Sequence, residues 1–318
     1  MKEPEAIFEL GLNHMGDIKR ACRMIDILLA QGAMYITIQT MVDPATTTRD
    51  TASTQAIQPN CLSLDDVIAV LEHGRSSGAQ MGVAILDPDH VESFVKAGAS
   101  FFKVLSSDLT FTPLHIAIAR TGLPCYLSTG LATLDDIARA IELIRKIVPN
   151  ADIRLIHTVL QVPTPATMLN LNNIPFLIEK FGMPVAYGQH SDIHEALSAT
   201  IAAGAETVFV YVAEESSPLL PDGPHAVVCS DVRALLEKLT QVRVMMGAKE
   251  RTLSAGEQER RISIRRSIVA ARTIAKGDPI TIEKIAFKRP GTGHAPWDTS
   301  QIIGSVAQKD YVPDEDIK

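Results

Sequence analysis

SFFKVLSSDLTFTPLHIAIARTGLPCYLSTGLATLDDIARAIELIRKIVPNADIRLIHT, residues 100–158, carries the architecture in miniature. Three short apolar runs, SFFKVLS (100–106), PCYLST (124–129) and DIRLIHT (152–158), read as buried strands. TLDDIARAIELIRKI (133–147) separates the last two as a helix. This is the rhythm of a parallel sheet, whose neighbouring strands need a crossover between them.

Working outward, AIFELG (6–11), MYITIQ (34–39) and QMGVAIL (80–86) precede that stretch, and PVAYGQ (184–189) and ETVFVYV (206–212) follow it. Helical segments such as IKRACRMIDILLAQGA (18–33) and HEALSATIAAG (194–204) stand between them. Residues 41–60, rich in Thr and Ser, read as a loop. Eight β/α units in about 250 residues predict a TIM (β/α)8 barrel. A doubly wound open sheet is the alternative, because periodicity alone does not show closure. GAKERTLSAGEQERR (247–261) is charged and strandless, and reads as a linker. Beyond it, SIVAARTIAKGDPIT (267–281), IAFKRPGTG (285–293) and IIGSVAQKD (302–310) are short β-like runs split by Gly and Pro. The expected domains are therefore 1–246, a linker at 247–261, and a small β-rich domain at 262–318, too short to hold much core alone.

The 318 residues carry 46% hydrophobic and 21% charged side chains, which excludes disorder as the main description. A net charge of −7 argues against nucleic-acid or anionic-membrane binding by a broad basic face. No apolar run reaches the roughly 18 residues of a membrane helix. The opening MKEPEAIFEL lacks the basic start and apolar core of a secretion signal, so a cytoplasmic location is expected. Cys22, Cys61, Cys125 and Cys229 are widely spaced and read as reduced thiols.

In a TIM barrel the chemistry gathers at the C-terminal ends of the strands. Those ends supply Glu9, Asn13 and His14; Gln39; Lys103, Ser106, Ser107 and Asp108; Ser128, Thr129 and Gly130; His157; and Gln189, His190 and Ser191. His157 and His190 close adjacent strands and could share a divalent metal, or be hydrogen-bonded rim histidines. Lys103 on an apolar strand needs an anion, either a substrate or a carboxylate such as Glu9 or Asp108. Ser128–Gly130 before a helix offers hydroxyls and a helix N-terminus to a phosphate, or merely caps the helix. Glu9 could act as a base, orient a sugar hydroxyl or form an ion pair. Arg289, beside a Gly-rich turn, could present a guanidinium or be solvated. The Arg260, Arg261, Arg265, Arg266 cluster reads as solvated, and Trp297 as a packing anchor.

These residues resemble the N-acetylneuraminate (sialic acid) synthase family nearly end to end. ELGLNHMGD (9–17) is similar to the family's E-I-G-x-N-H-x-G-D, FKVLSSDLT (102–110) to Y-K-I-A-S-G-D-L-T, and LSTGLATLDDI (127–137) to L-S-T-G-M-A-T-x-E-E-I. VPTPATMLNLNNIPFLIEKFGMPVAYGQHS (162–191) resembles Y-P-T-P followed by N-L-x-x-I and G-Y-S-D-H-T. RRSIVAARTIAKGDPIT (265–281) with KRPGTG (288–293) resembles the family's antifreeze-like (SAF) domain. The resemblance implies condensation of phosphoenolpyruvate with an N-acetylated sugar aldehyde such as N-acetylmannosamine, with release of phosphate. It implies a divalent metal, Mn²⁺ or Mg²⁺, held by His157 and His190. It assigns phosphoenolpyruvate to Lys103, Ser106 and Ser128, with Gln39 after strand two. It places Glu9 and Asn13 near sugar and water, and Arg289 on the sugar's acyl group. It further implies a homodimer in which each small domain covers the partner's site.

The chain departs from the family pattern at several positions. Thr37 stands where the family's K-F-Q has lysine, Ala84–Asp89 replaces S-T-P-F-D, and Val162 and Gln189 replace a tyrosine and an aspartate. Phe209 and Tyr211 replace the glutamate and histidine of E-K-H-F. Two other readings therefore stand beside the synthase: a non-catalytic sugar-binding paralogue, and an aldolase- or lyase-type reaction on a 2-keto acid.

Overall fold

The computed structural model describes residues 6–318, and the chain parts into two compact units between Gly247 and Ala248. Residues 1–5, which open the stretch read against a secretion signal, lie outside the described residues.

In the first unit the strands are β1 (Ala6–Glu9), β2 (Tyr35–Thr40), β3 (Gln80–Ile85), β4 (Phe101–Val104), β5 (Cys125–Ser128), β6 (Ile153–His157), β7 (Val185–Gly188) and β8 (Val208–Ala213). They pair in sequence order, all parallel, and β8 returns to β1 through Ala6↔Val208 and Glu9↔Tyr211. That pairing closes the barrel and excludes the open sheet. The two-residue β9 (Val227–Val228) extends β8 on its outer side.

The helices of this unit are α1 (Ile18–Ala30), α2 (Thr51–Ile57), α3 (Leu64–Ser76), α4 (Val91–Lys96), α5 (Thr112–Ala119), α6 (Leu134–Ile147), α7 (Asn173–Phe181), α8 (Glu195–Ala202) and α9 (Val232–Met246). The 41–60 segment, expected as loop, contains α2, started by the Asp50 carboxylate accepting from the Ala52 and Ser53 N–H groups. Among the described residues no helix is long and apolar enough to cross a membrane.

Strand alternation sorts the side chains into two cores. Ile7, Phe101, Tyr126, Ile156, Ala186 and Phe209 fill the barrel interior. Phe8, Ile36, Val83, Phe102, Leu127, Leu155, Tyr187 and Val210 face the helices. The next interior layer lies two residues further along each strand, toward the C-terminal mouth. It receives Glu9, Thr37, Lys103, Ser128 and Tyr211.

The second unit begins with α10 (Ala255–Ile264), held at its start by a reciprocal pair of hydrogen bonds between Ser254 and Glu257. Antiparallel β10 (Ser267–Ala270) and β11 (Ile285–Lys288) follow, then α11 (Thr299–Ile302). Its core is Ile268, Ile274, Ile280, Ile285, Ile302, Tyr311 and Ile317. All of the segment expected as a linker except Gly247 thus falls within this unit, and it is partly helical. The Gly291 N–H donates to the Ile262 carbonyl at 2.7 Å, tying the end of α10 to the β11 loop. Trp297 is not the expected packing anchor. It is 74% exposed, with the Arg265 guanidinium 5.7 Å from its ring centre, and Tyr311 with the isoleucines fills the core in its place.

Candidate active site

Parallel closure brings the ends of β1, β2, β4 and β8 around one buried charge pair. Lys103 Nζ donates to Glu9 Oε1 at 2.5 Å, and the Thr37 hydroxyl donates to the same oxygen at 3.4 Å. All three residues are less than 5% exposed. The ammonium also sits 5.0 Å from the Phe209 ring centre and 5.6 Å from that of Tyr211. Glu9 Oε2 has no partner. An ammonium carries three N–H groups, and Glu9 takes one. Of the partners weighed for Lys103, the structure selects Glu9, and it does so at the barrel mouth. No second cation fills the corner at Thr37 among the described residues. Arg20 and Arg23 are held by Glu214, and Arg154 by Asp152 and Tyr126.

Asn13 is spent on architecture. Its Nδ2 donates to the Val212 carbonyl at 2.8 Å and its Oδ1 accepts from the Asp222 N–H at 2.9 Å, pinning the loop after β1 to the loop after β8. Asp222 Oδ2 accepts in turn from the Leu12 N–H at 3.1 Å. Burial, reinforced by the Glu9 charge, pushes the Asp222 carboxyl up to about 6 against the pull of that N–H. Gly11, at φ +52°, is required here, since a Cβ would stand 2.2 Å from Asp222 Oδ2.

His190 faces this interior. Its Nδ1 lies 3.0 Å from both the Thr158 hydroxyl and the Val159 carbonyl. Its ring centre is 5.7 Å from that of Tyr211 and 5.4 Å from that of His225. His225, in the turn after β8, stands edge-on to Tyr211 at 4.9 Å. It is 1% exposed, and neither ring nitrogen has a partner. Burial, then the neighbouring His190, depresses it to about 3; burial, then Lys103, also lowers His190. Sequence reading missed His225, which lies beyond the eighth strand's end. Carrying the strand-end survey one loop further would have found it.

His157 is elsewhere. It pairs in register with Tyr187, and both lie on the outer face of the barrel, because their neighbours Ile156 and Ala186 point in. Its Nε2–H donates to the Leu169 carbonyl at 2.9 Å. The ring lines a cavity of about 610 Å³ with Gly130, Asn173 and Phe176, between the loops that follow β5 and β6. The structure therefore does not bring His157 and His190 together, and the expected metal cradle is not formed by this pair. Among the described residues no three His, Cys, Asp or Glu side chains converge on an ion position.

Ser106 and Gly130 meet where the loops after β4 and β5 press together; a Cβ on Gly130 would lie 2.7 Å from Ser106 Oγ. Ser128 is buried on the interior face. Thr129 gives both its N–H and its hydroxyl to the Ile156 carbonyl, each at 2.9 Å. The start of α6, weighed as a phosphate seat, is filled by its own cap. Thr133 and Asp136 exchange hydrogen bonds there, and Asp135 and Asp136 crowd the first turn with negative charge. Gln39 is half-buried near the end of β2, on the Thr37 face. Arg289 is exposed in the second unit, just after β11.

A closed barrel with polar groups converging on its C-terminal mouth, followed by a small β-rich module, defines an enzyme of the TIM-barrel class. The NeuB family profile matches residues 30–251 and the SAF domain profile residues 265–318. The chain belongs to the NeuB family and carries a SAF domain. It is 26% identical to N,N'-diacetyllegionaminic acid synthase of Campylobacter jejuni over the whole of both chains. The crystal structure of a spore coat polysaccharide biosynthesis protein E from Chromobacterium violaceum superposes with a TM-score of 0.82 at 21% identity, covering 99% of this chain and 98% of that one. The N-acetylneuraminic acid synthetase of Leptospira borgpetersenii superposes with a TM-score of 0.76 at 24% identity, covering 81% and 90%.

Proposed function

We propose that this chain condenses phosphoenolpyruvate with an N-acetylated, N-acetylmannosamine-like sugar aldehyde and releases phosphate. The observation that carries the reading is the buried Lys103 ammonium at the barrel mouth of a NeuB-family chain, holding N–H groups beyond the one given to Glu9. A desolvated cation with spare donors suits a substrate bearing a carboxylate and a phosphate. Ser106, Ser128 and the Gly130 backbone stand on the neighbouring strand ends and can share that anion. Carbon 3 of phosphoenolpyruvate bonds to the aldehyde carbon, whose oxygen takes a proton. Water adds to carbon 2 and gives up a proton. The carbon 2–oxygen bond to phosphate then breaks, leaving the 2-keto acid and inorganic phosphate. Glu9 Oε2, unpartnered and at the same barrel mouth, suits the water or a sugar hydroxyl. Gln39 is a further substrate contact at the end of β2, and Arg289 serves the sugar's acyl group. The same reading includes a homodimer, with the SAF domain serving the partner's barrel, and a cytoplasmic location. No step is routed through a metal at His157 and His190, because those side chains do not converge.

One observation favours the paralogue that binds sugar without turnover: among the described residues nothing replaces the charge absent at Thr37. Phosphate release from phosphoenolpyruvate, measured against a panel of N-acetylated hexoses with and without Mn²⁺, separates the two. Release dependent on both substrates supports the synthase. Sugar binding by calorimetry without phosphate release supports the paralogue. Turnover of a 2-keto acid without phosphoenolpyruvate supports the aldolase-type reaction.

A further inference from the structure

We propose that Asp222 is the acid of the barrel mouth: its Oδ1 hands a proton to the aldehyde oxygen as the carbon–carbon bond forms. The inference rests on the condensation read above and supplies the proton donor that this reaction requires. Carbon 3 of phosphoenolpyruvate bonds to the aldehyde carbon, the carbonyl electron pair moves onto oxygen, and that oxygen takes the Asp222 proton. The carboxylate so formed takes up the proton that water gives up on adding to carbon 2. Phosphate then leaves with the hydroxyl proton of carbon 2. One proton departs from Asp222 and one returns, so the cycle needs no further co-reactant.

The fold places Asp222 for that task. It lies in the loop after β8, just before the turn Gly223–His225. Its N–H donates to Asn13 Oδ1 at 2.9 Å, and its carbonyl accepts from the His225 N–H at 3.4 Å. Its Oδ2 accepts from the Leu12 N–H at 3.1 Å. A Cβ on Gly11 would stand 2.2 Å from that oxygen and 2.9 Å from the Tyr211 ring. The carboxyl is therefore laid between the Gly11 backbone and Tyr211, and Tyr211 pairs in register with Glu9. Among the described residues Oδ1 has no hydrogen-bond partner. One oxygen orients the group. The other is free to carry a proton, since an oxygen already accepting an N–H is the poorer place for it.

Its surroundings set when that proton moves. Glu9 stands near it on β1, Lys103 on β4, Tyr211 on β8 and His225 in its own turn. The His190 ring, from the loop after β7, stacks on the last two. Burial, reinforced by Glu9 and opposed by the Leu12 N–H and Lys103, raises the carboxyl to about 6. Burial holds the Tyr211 phenol well above its ordinary value and depresses His225 to about 3. Tyr211 thus keeps its proton and His225 stays a neutral imidazole, whereas Asp222 exchanges its own close to neutral pH, where an acid is most useful.

Phosphate release is followed from about pH 5 to 8 with phosphoenolpyruvate, Mn²⁺ and the N-acetylated hexose that turns over fastest. In the parent, kcat should fall above about pH 6, because only the protonated carboxyl serves. Asp222→Asn keeps an acceptor for the Leu12 N–H. It should lower kcat at least about tenfold, rather than raise KM, and flatten that limb. A residue that merely held the loop would lower kcat and leave the limb in place. The parent's limb is read without any substitution, so a misfolded variant does not block the answer. The proposal is overturned by an active parent whose kcat does not fall across that range, by a folded Asp222→Asn that keeps the limb or most of the kcat, or by a loss that falls on KM instead. A parent that releases no phosphate with any hexose of the panel ends the condensation reading, and the acid with it.

Discussion

Lys103 and Glu9 pair away from water, and Glu9 Oε2 is left without a partner. Lys103→Met should therefore destabilise the fold by about 3–5 kcal/mol, because it strands a buried carboxylate; Glu9→Gln added to it should restore part of the loss. Urea unfolding of the parent and the two variants decides this, and an unchanged midpoint for Lys103→Met would contradict it. Thr37 touches the same carboxylate. Thr37→Lys places a second cation beside that carboxylate. If the chain is a synthase, it should tighten phosphoenolpyruvate binding by about 1–3 kcal/mol in calorimetry. No binding by either form would end the synthase reading. Lys103 was legible in the sequence because a charge inside an apolar strand is conspicuous. The placing of His157 was not. Which face of β6 points inward depends on register, and LIHT offers an apolar residue for either side. His225 stands one loop beyond the end of β8, in a Gly-Pro turn with no periodicity around it to single it out.

At the scale of elements, all eight barrel strands were legible, because each is a short apolar run bounded by turn residues. Two of the helices that were missed, α2 and α10, have no buried residues. They rest on their caps, Asp50 and Ser254, rather than on an apolar stripe, so hydrophobic periodicity could not reveal them. Ser254→Ala should accordingly cost about 1 kcal/mol in the stability of the second unit. The contact between the β4 and β5 loops makes a sharper prediction. Gly130→Ala drives a methyl to 2.7 Å from Ser106 Oγ, so it should cost about 1–3 kcal/mol, and Ser106→Ala should relieve part of that. Additive losses in the double variant, read by thermal unfolding, would show that the two loops do not press on each other.

Across the whole molecule, acid should find the fold through its buried histidines. Burial depresses His14 from 6.5 to about 4. Between those values the unfolded chain holds a proton that the folded chain refuses, so stability falls as the pH drops through that window, by at most about 3 kcal/mol from this residue. His14→Gln should flatten the curve by that amount; a variant with the parent's acid slope would refute it. The rim of the cavity beside β5 and β6 exposes Leu131, Leu134, Leu160, Met168 and Phe176, an apolar surface that suits burial against a second chain. Light scattering should return twice the chain mass, and a monomer at micromolar concentration would contradict the proposed homodimer. Barrel closure also has a consequence for how the protein is made. β1 pairs with β8 about 200 residues downstream, through Ala6↔Val208. At roughly 5–20 residues per second, a ribosome delivers that partner on the order of 10–40 s after the first strand has emerged. Throughout that interval the nascent chain presents an unpaired parallel edge, with Glu9 waiting in solvent for Lys103 to be translated and for the last strand to seal both inside.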